Sequence, residues 1–490
     1  MIRILVFLFL LLFSQAAQAE KPNIVFLLAD DLGYGDLGCF GSPVVQSPRL
    51  DQLAGEGMIL KHCYAASPNC SPARAGMLTG RSPYRVGMYD FARFPALHIP
   101  EEETTVAELL SSAGYQTFFA GKWHCSGDFE SGNQPDPGDH GFDHWLAHPK
   151  NFGKDPKGFV RNGEDTEALK GWMSEIVVDE TIEWLGKKDP ETPFFTCLWF
   201  SEPHTPVLAA DEFRELYPEE TTAPYLESLA VSGGPQVKRR NQLKNPDLYF
   251  GCISMLDHHI GRLLDYLDSE GLAENTIVVF TSDNGPEHRT ATAFGSSGDL
   301  RGAKGHIHDG GIRVPGIVRW PGVVEPGTTS DAPINGTDWL PTFSAIGGAP
   351  APTDRPLDGA NVLPALTGEG KVDRPVPMMW WLWHARGGFE VAMRDGDYKM
   401  LATLLPQENP GGFDDAVQPK DWSIMQFIKE AELGRFEMFN LKEDGSETTN
   451  LAGKEPETFE ALKAKMIELH REIRDEGPEL ELSRRKTRSD

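Results

Sequence analysis

Apolar residues fall along this chain in short unbroken runs, separated by segments of helical period. Asn23 to Ala29 reads NIVFLLA, the length and texture of a strand buried on both faces, as in a parallel sheet covered by helices. Asp30 and Asp31 follow, then a glycine-rich loop from Leu32 to Gly41. Ser47 to Gly57 has the grammar of a helix, with Ser47 as cap, Pro48 in the first turn and Gly55 or Gly57 near the stop. The alternation then repeats. Thr105–Ala113 predicts a helix and Gln116–Ala120 a strand ending in Gly121-Lys122-Trp123-His124. Ser174–Leu185 predicts a helix and Phe194–Phe200 a strand ending in Ser201-Glu202-Pro203-His204. Asp247–Glu270 predicts a long helix and Thr276–Thr281 a strand ending in Ser282-Asp283-Asn284-Gly285. Helix and strand in alternation predict an α/β fold.

The texture changes after a proline-rich stretch between Ala349 and Pro377. Glu390–Leu401, EVAMRDGDYKML, predicts a hairpin turning near Asp395-Gly396. Phe436–Leu441 predicts another strand and Pro456–Arg474 an amphipathic helix. These elements predict a small α+β subdomain, with expected boundaries of 20–375 for the main domain and 376–490 for the C-terminal one. The charged tail Ser483–Asp490 is expected to fray. Residues 1–19 read as a signal peptide: Arg3, the apolar run Ile4–Phe13, then Ala17-Gln18-Ala19 as a cleavage pattern before Glu20. The run falls short of the roughly 20 residues of a membrane span. The expectation is an exported protein, periplasmic or secreted, with no stable membrane span.

A length of 490 residues exceeds the roughly 250–300 at which single cores stop growing, which suits a large domain with a smaller companion. A net charge of −27 argues against nucleic acid as a partner and requires a locally basic pocket for any anionic substrate. The cysteines at 39, 63, 70, 125, 197 and 252 have the spacing of neither a disulfide framework nor a zinc site. If Cys70 is used chemically, an odd number remains and at least one is a free thiol.

Open α/β sheets bind ligands beyond the carboxyl ends of their strands, where four polar clusters are predicted: Asp30/Asp31, Lys122/His124, His204 and Asp283/Asn284. Singly, each has an ordinary structural reading as a cap, turn or solvated loop residue. Asp30, Asp31, Asp283 and Asn284 offer only oxygen ligands, a set for a hard cation, calcium ahead of magnesium. Three carboxylates in one place repel unless a cation joins them. Cys70 stands in Asn69-Cys70-Ser71-Pro72-Ala73-Arg74, where Pro72 predicts a helix start and an anion-favouring dipole at Cys70. Arg74 lies one turn on. A small buried hydrophobe and a thiolate nucleophile served by His124 or His204 are both open readings of Cys70.

Cys70-Ser71-Pro72-Ala73-Arg74 with Leu78-Thr79-Gly80-Arg81 resembles the signature of the formylglycine-dependent sulfatases, in which the cysteine of Cys-x-Pro-x-Arg is oxidised to formylglycine. Asn23–Gly38, Ala120–His124 (AGKWH), Thr281–Gly285 (TSDNG) and Arg301–Gly322 resemble that family's remaining site segments, in order and spacing. The arylsulfatase A and N-acetylgalactosamine-6-sulfatase branch is the nearest in character. The resemblance implies an alkaline-phosphatase-like fold, a large mixed sheet flanked by helices. It implies calcium held by Asp30, Asp31, Asp283 and Asn284, with modified Cys70 as a further ligand. It implies that Arg74 orients the modified residue and that Lys122 and Lys304 bind sulfate oxygens. His204 would protonate the leaving alcohol, and His124 would act on the hydrated aldehyde. The implied partners are a sulfated polysaccharide or glycosaminoglycan fragment and a formylglycine-generating or sulfatase-maturating enzyme. Ala73 stands where many members carry serine or threonine. His306 and His308, after Lys304, either line the leaving-group pocket or are solvated loop residues. The alternatives are a phosphonate or phosphodiester hydrolase of the same superfamily, an inactive sulfated-glycan-binding protein, and a cysteine hydrolase, which leaves the carboxylates unexplained.

Overall fold

The first apolar run forms the central strand of the molecule. In the computed structural model, which describes residues 21–92, 94–231, 245–287, 294–382, 389–405 and 423–482, β1 spans Asn23–Asp30 with every residue buried. Its alternating side chains serve two cores. Ile24, Phe26 and Leu28 face one, and Val25, Leu27 and Ala29 the other, which explains why the run shows no polar alternation. The expected signal peptide and charged tail lie outside the described residues.

Around β1 lies a ten-stranded mixed sheet. The strands in chain order are β2 (Met58–Leu60), β3 (Cys63–Tyr64), β4 (Gln116–Lys122), β5 (His144–His148), β6 (Val160–Arg161), β7 (Glu164–Asp165), β8 (Phe194–Pro203), β9 (Thr276–Ser282), β10 (Gly316–Arg319), β11 (Thr328–Ser330) and β12 (Ile334–Asn335). The sheet runs β11-β2-β10-β9-β1-β8-β4-β5-β6-β7, and β12 pairs with β3 separately. From β9 to β5 the strands are parallel, so the carboxyl ends of β1, β4, β8 and β9 share one edge. Outside this block β10 is antiparallel to both β9 and β2.

Helices cover both faces. On one side lie α1 (Pro48–Glu56), through Leu50 and Leu53, α4 (Met173–Leu185) and α5 (Pro246–Ser269). On the other lie α2 (Cys70–Thr79), α3 (Val106–Ser112) and α6 (Trp339–Gly347). α3 starts at a complete capping box between Thr105 and Glu108. The N-terminus of α1 is capped from a distance: Asp257 of α5 accepts from the Leu50 N–H at 2.7 Å and the Arg49 N–H at 3.2 Å, while Ser47 serves Gly38 and Asp51 instead.

The C-terminal sheet is antiparallel, in the order β13 (Met378–Leu382), β14 (Glu390–Asp395), β15 (Tyr398–Leu405), β16 (Glu432–Asn440). The hairpin turns at Gly396, φ +61°, as predicted. Both faces are covered. Met379, Trp381, Val391 and Met393 extend the first core, whereas Trp380, Leu382, Ala392 and Leu401 pack on Tyr64 of β3 and on Ile307 and Ile312. α7 (Pro456–Glu476) is the last helix among the described residues. Arg85 ties it to the segment after α2, 2.8 Å from Glu472 and 3.1 Å from Asp358. Among the described residues no helix is long and apolar enough to cross a membrane.

Candidate active site

Asp30 is the last residue of β1, and Asp31 leaves the strand at φ +66°. Lys122 ends β4, two residues later than the predicted strand, and His124 follows at φ +52°. A left-handed backbone at two non-glycine residues costs on the order of 1–3 kcal/mol each and collects at functional sites. Asp283 and Asn284 follow β9, and His204 follows β8. Cys70 opens α2 behind Asn69. Gly121 permits the convergence: at φ +116°, a Cβ there would lie 2.0 Å from the Trp199 carbonyl oxygen, forcing β4 and β8 apart beside Lys122.

Asp30, Asp31, Cys70 and His204 each place one ligand atom within 4.8 Å of the others. Cys70 Sγ lies 3.6 Å from Asp30 Oδ1 and 3.0 Å from Lys304 Nζ. Lys304 also donates to Asp31 Oδ1 at 2.5 Å, and Lys122 donates to Asp30 Oδ2. Arg74 reaches Asp283 Oδ2 through Nη2 at 2.7 Å and Nε at 3.0 Å. It donates to the Lys122 carbonyl at 3.0 Å and lies 5.0 Å from the Trp199 ring centroid. The arginine one turn on thus braces Asp283 and β4. The cluster holds three carboxylates and three cations, all buried.

Two oxygens in it lack a hydrogen-bond donor: Asp31 Oδ2 and Asn284 Oδ1 are buried without one. Asn284 Nδ2 donates to Asp31 Oδ1 at 2.7 Å, and Asp283 Oδ1 accepts from the Asp31 N–H at 3.2 Å. Buried acceptors without donors are costly, and a hard cation would satisfy both. The residues present therefore fit a divalent ion bound through oxygen.

Burial pushes the Cys70 thiol up to about 12, against the pull of Lys122 and Lys304. A protonated, enclosed thiol is a poor nucleophile, which counts against a cysteine hydrolase. Burial, then the charges of Lys122, Arg74 and Lys304, hold His124 well below the usual imidazole range, so it is neutral near pH 7. Its Nδ1 is buried without a partner. Burial opposes the charge on Lys304, but Asp31, Cys70, Asp30 and Asp283 together outweigh it and keep the ammonium protonated. His204 is the outward-facing member, its side chain 22% exposed. Asn151 Nδ2 lies against His204 Nδ1 and donates to the Thr205 carbonyl at 3.0 Å, and that carbonyl is 2.8 Å from His204 Nδ1. Its Nε2 lies 3.5 Å from Asp31 Oδ2.

His306 is half-buried, with Nδ1 3.0 Å from the Ala303 carbonyl. His308 neither is solvated nor joins the cluster. It is buried with Nδ1 3.3 Å from Glu447 Oε1, because its loop folds against the C-terminal sheet. Sequence reasoning also missed Asn151, an ordinary loop asparagine by pattern, and the charged group Asp309, Lys399 and Glu447. Lys399 lies 2.7 Å from Asp309 and 2.9 Å from Glu447. A lysine amid the apolar residues of a predicted hairpin strand was the available signal.

A family model described as Sulfatase matches residues 22–349. Human arylsulfatase A is 32% identical over 492 residues, covering 93% of this chain and 89% of its own. Dog N-acetylgalactosamine-6-sulfatase is 30% identical over 418 residues, covering 78% of this chain and 72% of its own. A solved structure described as bound to its substrate D-glucosamine-2-N,6-O-disulfate superimposes with a TM-score of 0.66 at 23% identity, covering 93% of this chain and 98% of that one.

Proposed function

The chain belongs to the sulfatase family and is a sulfuric ester hydrolase, and from that premise we propose that it removes sulfate from sulfated carbohydrate with Cys70 as formylglycine and calcium as its metal. The observation that carries this reading is the position of Cys70, inside a knot of paired acids and bases rather than beside a lone histidine. Hydrated formylglycine supplies a hydroxyl nucleophile for sulfur, in place of a thiol that burial keeps protonated. Asp30, Asp31, Asp283 and Asn284 would hold the metal, which lowers the pKa of an oxygen bound to it.

The chain's own groups supply the rest. Lys122 and Lys304, paired here with Asp30 and Asp31, are the cations for the sulfate oxygens, and charge neutralisation there is the largest catalytic contribution. Arg74 keeps Asp283 and the end of β4 in register. His204, oriented through Nδ1 by the Thr205 carbonyl at 2.8 Å, presents Nε2 as the acid for the departing alcohol. Neutral His124 accepts the proton of the hydrate hydroxyl when sulfate is expelled and the aldehyde re-forms. The relative named N-acetylgalactosamine-6-sulfatase, and the disulfated glucosamine in the solved structure, support a sulfated sugar as substrate. Export follows from the leader read at residues 1–19.

The test is peptide mass analysis of active enzyme beside turnover of nitrophenyl sulfate and of a panel of sulfated sugars. An aldehyde or hydrate at Cys70 is expected, with no turnover in Cys70→Ala. Full activity from protein carrying only the thiol sinks the formylglycine reading. Turnover of phosphodiesters but no sulfated sugar replaces the substrate class.

A further inference from the structure

Lys304 reaches Cys70 and Asp31 from a loop, not from a strand end. Short backbone bonds hold its own turn: its N–H donates to the Pro286 carbonyl and that of Gly305 to Pro68, both at 3.0 Å. The rest of the loop leans on the C-terminal sheet. Ile307 and Ile312 are buried among Trp380, Leu382, Ala392, Leu401 and Phe439.

Beside that apolar contact is a closed polar network centred on Glu447. Its Oε2 accepts from the Asp309 N–H at 2.6 Å, Oε1 lies 3.3 Å from His308 Nδ1, and its carbonyl accepts from Arg301 Nη1 at 3.0 Å. One residue thus grips the loop on both sides of Lys304. Lys399, fully buried, locks the carboxylate at 2.9 Å and reaches Asp309 Oδ1 at 2.7 Å. The Tyr64 hydroxyl donates to Asp309 Oδ2 at 2.8 Å. Glu447 adopts φ +53°, a strained conformation that persists only where its surroundings over-determine it. Cohesion alone does not call for such a network, since apolar side chains bury as well or better than ion pairs. What charged hydrogen bonds add is direction.

We propose that Glu447, locked by Lys399, is a positioning residue for Lys304, setting the loop so that the ammonium stays aimed into the sulfate site. The C-terminal sheet thereby contributes to sulfate recognition without touching the substrate. The inference rests on the sulfate-binding reading of Lys304.

The experiment is a double-mutant cycle of Glu447→Gln and Lys304→Ala, read as kcat/KM for nitrophenyl sulfate and as inhibition by inorganic sulfate. Misplacing a catalytic group by about 1 Å can cost roughly 10²-fold. Glu447→Gln is expected to lower kcat/KM by roughly 10- to 100-fold and weaken sulfate inhibition in the parent. In the Lys304→Ala background it should cost less than about twofold, because coupled residues are non-additive. Equal losses in both backgrounds mean general damage and overturn the proposal. Unchanged turnover in Lys304→Ala overturns it by removing the reading beneath it, a distinguishable result. If Glu447→Gln fails to fold, His308→Asn, which loosens the same grip without removing a carboxylate, must show the same background dependence.

Discussion

Arg74→Met tests how the site balances its charge. Arg74 and Asp283 are both fully buried, and two guanidinium nitrogens address a single carboxylate oxygen at 2.7 and 3.0 Å. Unit charges at the shorter distance attract by about 6 kcal/mol at an effective dielectric near 20. Desolvation offsets part of that, and breaking one side of a buried pair costs about 3–5 kcal/mol. The lost donation to the Lys122 carbonyl adds about 1 kcal/mol. Methionine keeps contact with the Trp199 ring, so packing changes little. A loss of about 4 kcal/mol is expected, measured as the shift in urea midpoint between parent and variant after chelation. Asp283 then retains the Asp31 N–H at 3.2 Å. With calcium supplied, the penalty should shrink by about 1 kcal/mol or more, because the ion binds the folded state alone and replaces part of the missing charge. A loss below about 1 kcal/mol, or the same loss with and without calcium, refutes the reasoning.

Two other perturbations separate chemistry from scaffold. His204→Ala should lose roughly 10²–10⁴ in turnover on a sugar sulfate and far less on nitrophenyl sulfate, whose phenolate leaves without a proton; equal losses on both remove it from the acid role. Burial pushes the Asp257 carboxyl up from 3.8 to about 7 against the α1 amides it accepts. The folded state therefore holds a proton that the unfolded chain releases, and stability falls between pH 4 and pH 7. Asp257→Asn should flatten that slope and gain relative to the parent above pH 7. Denaturation midpoints at pH 4.5 and 7.5 check it, and parallel profiles would refute it.

The strands buried on both faces were legible because nothing interrupts them. β1, β8 and β9 carry unbroken apolar runs, and each ends in residues of the site, so most of the catalytic constellation followed from runs and their termini. The short strands on one side of the sheet were not legible: three or four residues, as in β2, β10 and β11, form no period. Segments from distant parts of the chain meet at Glu447, and no local pattern couples Lys399 to Asp309. The reading of His308 failed for the same reason, since a loop histidine becomes buried only when another subdomain covers it.

The central position of β1 has a consequence for biosynthesis. Asn23 bonds the Phe194 N–H and Thr276 Oγ1, partners 171 and 253 residues away. This segment has no strand partner until β8 is made, about two-fifths of the way along the chain, and its second neighbour, β9, comes only past the halfway point. Such long-range parallel pairing is slow and leaves sticky surface exposed meanwhile. The same delay leaves Cys70 uncovered, since Lys304, 234 positions on, cannot pack against it until nearly two-thirds of the protein has been made.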